Sequence, residues 1–259
     1  MIYQSSIVEL IQNVWINVLM QRKRSFLTLF LITAFLLVIL IFLLQFTLVP
    51  FLGDINQQVV FYELSIVTVI TLLFVTIFTQ VSAAYIVLST SDNLMDIKNN
   101  QFIKLFKESF FGLFKLQILK FFIYCVVGLL IGTISLVLYQ TLGYIGTAVG
   151  EVLGISLFIT AVGIFFLIIS FMIVNCLTLL SPYFIVFEHM PVTLSIKKSV
   201  EVILSNKMMF FKLYLILVFL VTITSLLFKT TILTSCIGIF FEILVAYICM
   251  KLIKSKNEI

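Results

Sequence analysis

Histidine, proline and charge are all scarce in this chain of 259 residues, and each scarcity removes a class of function. One histidine, His189, cannot supply a His-rich metal site, and the four cysteines (Cys125, Cys176, Cys236, Cys249) form no CxxC pair and show no metal-ligand spacing. All four fall inside apolar runs, where a free thiol acts as a small hydrophobe. No HExxH, GxSxG, P-loop or paired acidic motif is present, so metalloprotease, serine-hydrolase and nucleotide-hydrolase chemistry find no support. The three prolines, Pro50, Pro182 and Pro191, leave long stretches free to run as uninterrupted helix. Charged residues make up 10% of the chain, against about 25% in an ordinary soluble domain.

What the chain has instead is apolar length. Hydrophobic residues make up 63% of it, and no polar stretch is long enough for a separate soluble domain. The chain reads as one integral membrane domain, 1–259. Six runs, 26–49, 64–88, 117–139, 152–181, 208–228 and 231–252, are long enough to cross ~30 Å of hydrocarbon as helices. A membrane barrel would instead alternate polar and apolar residues in segments of about 10. The fold class is therefore all-α, a polytopic membrane protein with six transmembrane helices. The opening MIYQSSIVELIQNVW lacks the basic start and cleavage pattern of a signal peptide, so the first span is expected to be retained.

The net charge of +5 could suggest nucleic acid, but the basic residues lie in short clusters between apolar runs. They report topology instead. Of the 16 basic residues, all but Lys229 fall on one side of the six-span arrangement, and Asp54, Glu63 and Glu151 fall on the other with Lys229. The positive-inside bias places both termini in the cytoplasm.

Three amphipathic segments precede alternate spans. Their stripes are Ile7, Ile11, Val14 and Val18; then Phe102, Phe106, Phe110 and Leu113; then Val192, Ile196, Val200 and Ile203. Charged or polar residues stand opposite each, and three cytoplasmic interfacial helices are predicted. Lys104, Lys107, Lys197 and Lys198 are the candidate contacts to anionic lipid headgroups. The same helices could instead dock a membrane or cytoplasmic protein such as an ATPase. An amphipathic helix followed by a hairpin divides the chain into candidate repeat units 1–90, 91–189 and 190–259. GLFKLQILKFF (112–122) and MFFKLYLILVF (209–219) match locally at a constant offset.

Glu242 is the residue most worth explaining. It sits near the middle of TILTSCIGIFFEILVAYICMK, where a carboxylate costs ~2.5 to 3.5 kcal/mol to insert. It is either a proton-linked or cation-binding group, or a protonated structural acid bonded to Gln80 or Asn175 from other spans. Gln80 and Asn175 otherwise read as interhelical glue. Gly128 and Gly132 form a GxxxG that predicts one tight helix contact. In SPYFIVFEHMPVTLSIKKSVEVIL, Pro182 is expected to kink or end the fourth span, Pro191 to open the next helix, and His189 to be a solvated connector.

This stretch, continued to SPYFIVFEHMPVTLSIKKSVEVILSNKMMFFKLYLILVF, resembles the membrane domain that precedes the catalytic barrel of some bacterial glycerophosphodiester phosphodiesterases, and related polytopic bacterial proteins. The shared features are a span ending in Pro-Tyr, an acidic residue, an amphipathic helix with Ser and Lys, and a lysine-led span; WINVLMQRKRSFLTLFLI is similar to the basic lead into the first. The catalytic acids and histidines of such enzymes have no counterpart here, and the chain ends at KLIKSKNEI after its last span. The resemblance implies a standalone, non-enzymatic domain of the bacterial cytoplasmic membrane, without a cofactor, that handles lipids or other amphiphiles or supports an envelope process. The rival expectation is a permease-like transport component or a bacteriocin self-immunity protein working with a separate ATPase.

Overall fold

The computed structural model describes residues 7–20, 55–91, 99–143, 149–228 and 231–257, together with helical positions 27, 28, 31, 32, 35 and 39. Among them every regular element is helical. The first is α1 (Ile7–Val14), which continues through a wider π-helical turn, Trp15–Met20. The long helices follow: α2 (Ile55–Ser91), α3 (Asn99–Gly143) and α4 (Val149–Leu177). Two short helices, α5 (Ser181–Glu188) and α6 (Val192–Ser205), lead into α7 (Lys207–Phe228) and α8 (Thr231–Asn257).

Among the described residues, five stretches are long and apolar enough to cross a bilayer: Val67–Ser89, Gln101–Thr141, Ser156–Glu188, Lys207–Thr224 and Cys236–Lys254. The first expected span, 26–49, lies outside the described residues except for its few helical positions, as do Arg22, Lys23, Arg24, Asp54, Lys98 and Lys229. Threonines in these spans keep their hydroxyls off the lipid by bonding back to the carbonyl four residues earlier, as Thr71 does to Val67 and Thr133 to Leu129. With no water in the hydrocarbon, such internal pairing is what a polar side chain requires.

The core sits around α2, α5 and α8. Val81, Ala83, Ala84 and Val87 of α2, Tyr183 and Phe184 of α5, and Ile243, Val245, Ala246 and Ile248 of α8 are all essentially inaccessible. Small residues on α2 and α8 let the two backbones approach closely. By contrast, the outer halves of α3 and α4 pack mainly on each other and present Leu129, Leu130, Leu157, Phe158, Phe165 and Phe166 outward. Glycine helps at Gly163, where an added Cβ would lie 2.7 Å from the Ser135 hydroxyl. No tight contact forms at the predicted GxxxG: a Cβ on Gly128 or Gly132 would meet nothing within 4 Å.

The amphipathic segments take two forms. The third is a separate helix, α6, and the first forms α1 and the turn after it, but the second is not an element of its own: residues 99–143 run as one helix of 45 residues. No proline or glycine cluster interrupts it. Nor does its stripe lie in lipid. Phe102 and Phe106 stack edge-on against Phe78 and Phe74 of α2, with ring centroids 5.8 and 6.0 Å apart, and Phe102 also meets Tyr85 at 5.3 Å. Likewise α1 buries Leu10 and Val14, and packs against α8.

The fourth span breaks where Pro182 stands. Proline has no N–H to donate to Thr178, and its ring would strike that carbonyl, so helix α4 stops at Leu177 and α5 begins at Ser181. The break strands two backbone groups. Leu179 and Ser181 bond three residues back, to Cys176 and Thr178, leaving the Leu180 N–H and the Leu177 carbonyl without helical partners. Ser199 of α6 serves both: its hydroxyl accepts from the Leu180 N–H at 3.2 Å and donates to the Leu177 carbonyl at 2.8 Å. A membrane helix is thereby interrupted with its backbone satisfied.

At the far end of α5, His189 adopts the left-handed conformation with φ 49°, and both its N–H and that of Met190 bond to the Phe184 carbonyl. This closes the helix in the manner usual for glycine. Pro191 then starts α6 with an extended backbone, its carbonyl accepting from Ser195 at 2.9 Å. Pro182, His189 and Pro191 thus act as the sequence predicted, with His189 exposed.

Candidate functional site

The Glu242 carboxylate meets neither of its expected partners. Its bond comes from Tyr183, whose hydroxyl points at Glu242 Oε2 and lies 3.0 Å from the Glu242 backbone oxygen as well. Tyr183 reaches that position because the break at Pro182 resets the helix, and α5 turns the ring, which is fully buried, toward α8. Gln80 instead accepts from Gln117 of α3 at 3.3 Å, and Asn175 accepts from the Tyr124 hydroxyl at 2.6 Å. Both are interhelical links, α2 to α3 and α3 to α4, and neither closes on Glu242. An amide acceptor in a packed setting is satisfied by one donor, and buried Gln80 and half-buried Asn175 each find one on a neighbouring helix.

Lys120 supplies what the sequence did not reveal, a buried cation. Expected among the cytoplasmic lysines, it is only 7% exposed and interacts electrostatically with Glu242. One turn earlier on the same face of α3 is Gln117, so a polar band (Gln80, Gln117, Lys120, Tyr183 and Glu242) crosses four helices inside an apolar bundle. Buried polar groups persist when they are hydrogen-bonded, as Glu242 is by Tyr183 and Gln80 by Gln117, whereas Lys120 acts on Glu242 only through electrostatics.

The lysines proposed to face lipid headgroups divide. Lys104 and Lys107 of α3 and Lys197 of α6 are exposed, Lys104 within 3.9 Å of Glu108. Lys198 departs from the expectation. Its ammonium pairs with Glu188 at 2.5 Å and lies 4.5 Å from the centroid of the Phe184 ring, so it ties α6 to α5 rather than facing outward. The spacing that puts Lys198 one position from exposed Lys197 rotates it about 100° around the helix, onto the packed side.

Tyr183 and Lys120 are the two functional candidates that sequence reasoning missed. Lys120 carried a signal: it is followed by FFIYCVVGLLIG, with no further charge until Glu151, and so stands inside the span rather than before it. Tyr183 carried none beyond its place after Pro182. Comparison with family models, curated proteins and solved structures returned no match.

Proposed function

We propose that this chain is a non-enzymatic, multi-pass protein of the bacterial cytoplasmic membrane that binds lipids or other anionic amphiphiles along its exposed helical surface. One observation carries the reading: a single face of α3 joins exposed cations to exposed apolar side chains without a break. Lys104 and Lys107 lead to Phe111, Phe114, Ile118 and Phe121 at spacings of three and four residues, with Lys115 alongside. That order, charge followed by apolar surface along one rod, complements an anionic headgroup followed by its chain. The reading also agrees with the resemblance to membrane domains attached to phosphodiesterases of lipid-derived substrates.

The test is purification in mild detergent followed by mass spectrometry of retained lipid. Wild-type protein should retain anionic phospholipid, and the combined variant Lys104→Gln, Lys107→Gln, Lys115→Gln should retain less, with each lysine worth about 1 kcal/mol near a charged surface. Equal retention by both proteins would remove the basis for the reading.

A second reading, a permease-like transport or self-immunity component working with a separate ATPase, draws support from the broken fourth span. Discontinuous membrane helices beside ionisable groups occur at transport sites. Recovery of a nucleotide-hydrolysing subunit in the same purification would favour it.

A further inference from the structure

The hydroxyl of Tyr183 stands between two acceptors that belong to one residue, the Glu242 carboxylate and the Glu242 backbone oxygen at 3.0 Å. This is more than an acid needs if its charge never changes. With Glu242 ionised, the phenolic O–H donates to Oε2. With Glu242 protonated, the new O–H on the carboxyl donates to the phenolic oxygen, while the phenolic hydrogen turns to the backbone oxygen. Each state keeps the pair hydrogen-bonded, and the change requires only rotation about the phenolic C–O bond.

We propose that Glu242 is a proton-binding site inside the membrane domain, with Tyr183 as a partner that switches acceptors so that both charge states are accommodated. The proton comes from water and returns to it; binding forms one O–H bond at the carboxyl and takes the residue from −1 to neutral. Lys120 then loses the negative charge that acts on it through electrostatics.

The groups that act on the carboxyl are Tyr183 from α5 and Lys120 from α3; α1, α2 and α7, also packed near α8, set no further charge against it among the described residues. Tyr183 in turn interacts electrostatically with Cys249 on α8. Of the other carboxylates described, Glu9, Glu108 and Glu201 are exposed and Glu188 is held by Lys198. This inference does not depend on lipid binding along α3.

Infrared difference spectroscopy of the full chain in lipid vesicles, taken across a pH titration, reads the state of the acid directly. A protonated-carboxyl C=O band should grow on acidification, be missing from Glu242→Gln, and move in frequency in Tyr183→Phe, which lacks the partner. Lys120→Met should change the pH at which the band is half developed. A wild-type band that is constant with pH, or no such band at any pH, overturns the proposal. Should Glu242→Gln not fold, Tyr183→Phe decides alone: a pH-dependent band of unchanged frequency also overturns it.

Discussion

Ser199 and His189 do their work through single bonds and a single torsion, and both can be tested one residue at a time. Removing the Ser199 hydroxyl leaves the Leu180 N–H and the Leu177 carbonyl unpaired in a buried setting. Ser199→Ala should therefore lower unfolding stability by about 2 kcal/mol, the usual scale for stranded buried polar groups. Denaturant titration in detergent measures it, and a loss within error of zero would mean that water reaches the break. His189→Gly should act in the opposite direction. The side chain is exposed and the backbone is left-handed, a conformation costing L-residues about 1–2 kcal/mol, so glycine should stabilise by a fraction of that, about 0.5–1 kcal/mol. A lower melting temperature for the glycine variant would show that the imidazole makes a contact that matters. At this scale Glu242 was legible because a carboxylate in an apolar run is costly wherever it points. Its partner was not, since Tyr183 is one of 9 tyrosines and lies 59 residues away along the chain, and only the helix break brings it near.

Helices, once formed, pack by what lies on their faces, and a linear sequence shows those faces without their partners. Apolar length marked the spans because the cost of unpaired backbone in hydrocarbon leaves a helix as the one local solution. Where one helix ends and the next begins was harder. Pro182 marks a boundary with a steric cause, but 99–143 holds no comparable breaker, so the amphipathic segment there is continuous with the span after it. Periodicity also cannot say whether an aromatic stripe meets lipid or another helix; Phe102 and Phe106 met Phe78 and Phe74. The glycines show the same limit. The GxxxG spacing of Gly128 and Gly132 predicts a contact where both face open space, whereas Gly112, outside any GxxxG, is where a Cβ would come within 2.7 Å of Ile185 Cγ2. Ile185 is buried and branched, with little room to yield. Gly112→Ala should cost about 1–3 kcal/mol by overpacking, while Gly128→Ala should be neutral or mildly stabilising in the same unfolding assay. Equal effects at the two sites would refute the α3–α5 contact.

As a whole the molecule is lopsided, with a packed end around α2, α5 and α8 and a hairpin of α3 and α4 that offers apolar surface outward. The native thiols report on this arrangement. Cys125, exposed on α3, should react with a thiol reagent that partitions into the bilayer and resist a membrane-impermeant one; Cys249, fully buried, should resist both until the protein unfolds. Rapid labelling of Cys125 by the impermeant reagent in intact membranes would place that surface in water and contradict its assignment as lipid-facing. The continuity of α3 has one more consequence. A straight helix of 45 residues is a rod about 67 Å long, roughly twice the hydrocarbon thickness, and Lys120 falls at its midpoint. Its first half carries the aromatic seam on α2 together with the face that runs from Lys104 to Ile118, and its second half presents Leu129, Leu130, Ile134 and Leu136 outward. Laid along the bilayer normal, such a rod outruns the hydrocarbon by about half its length, so α3 either carries one arm beyond the membrane or lies steeply tilted within it.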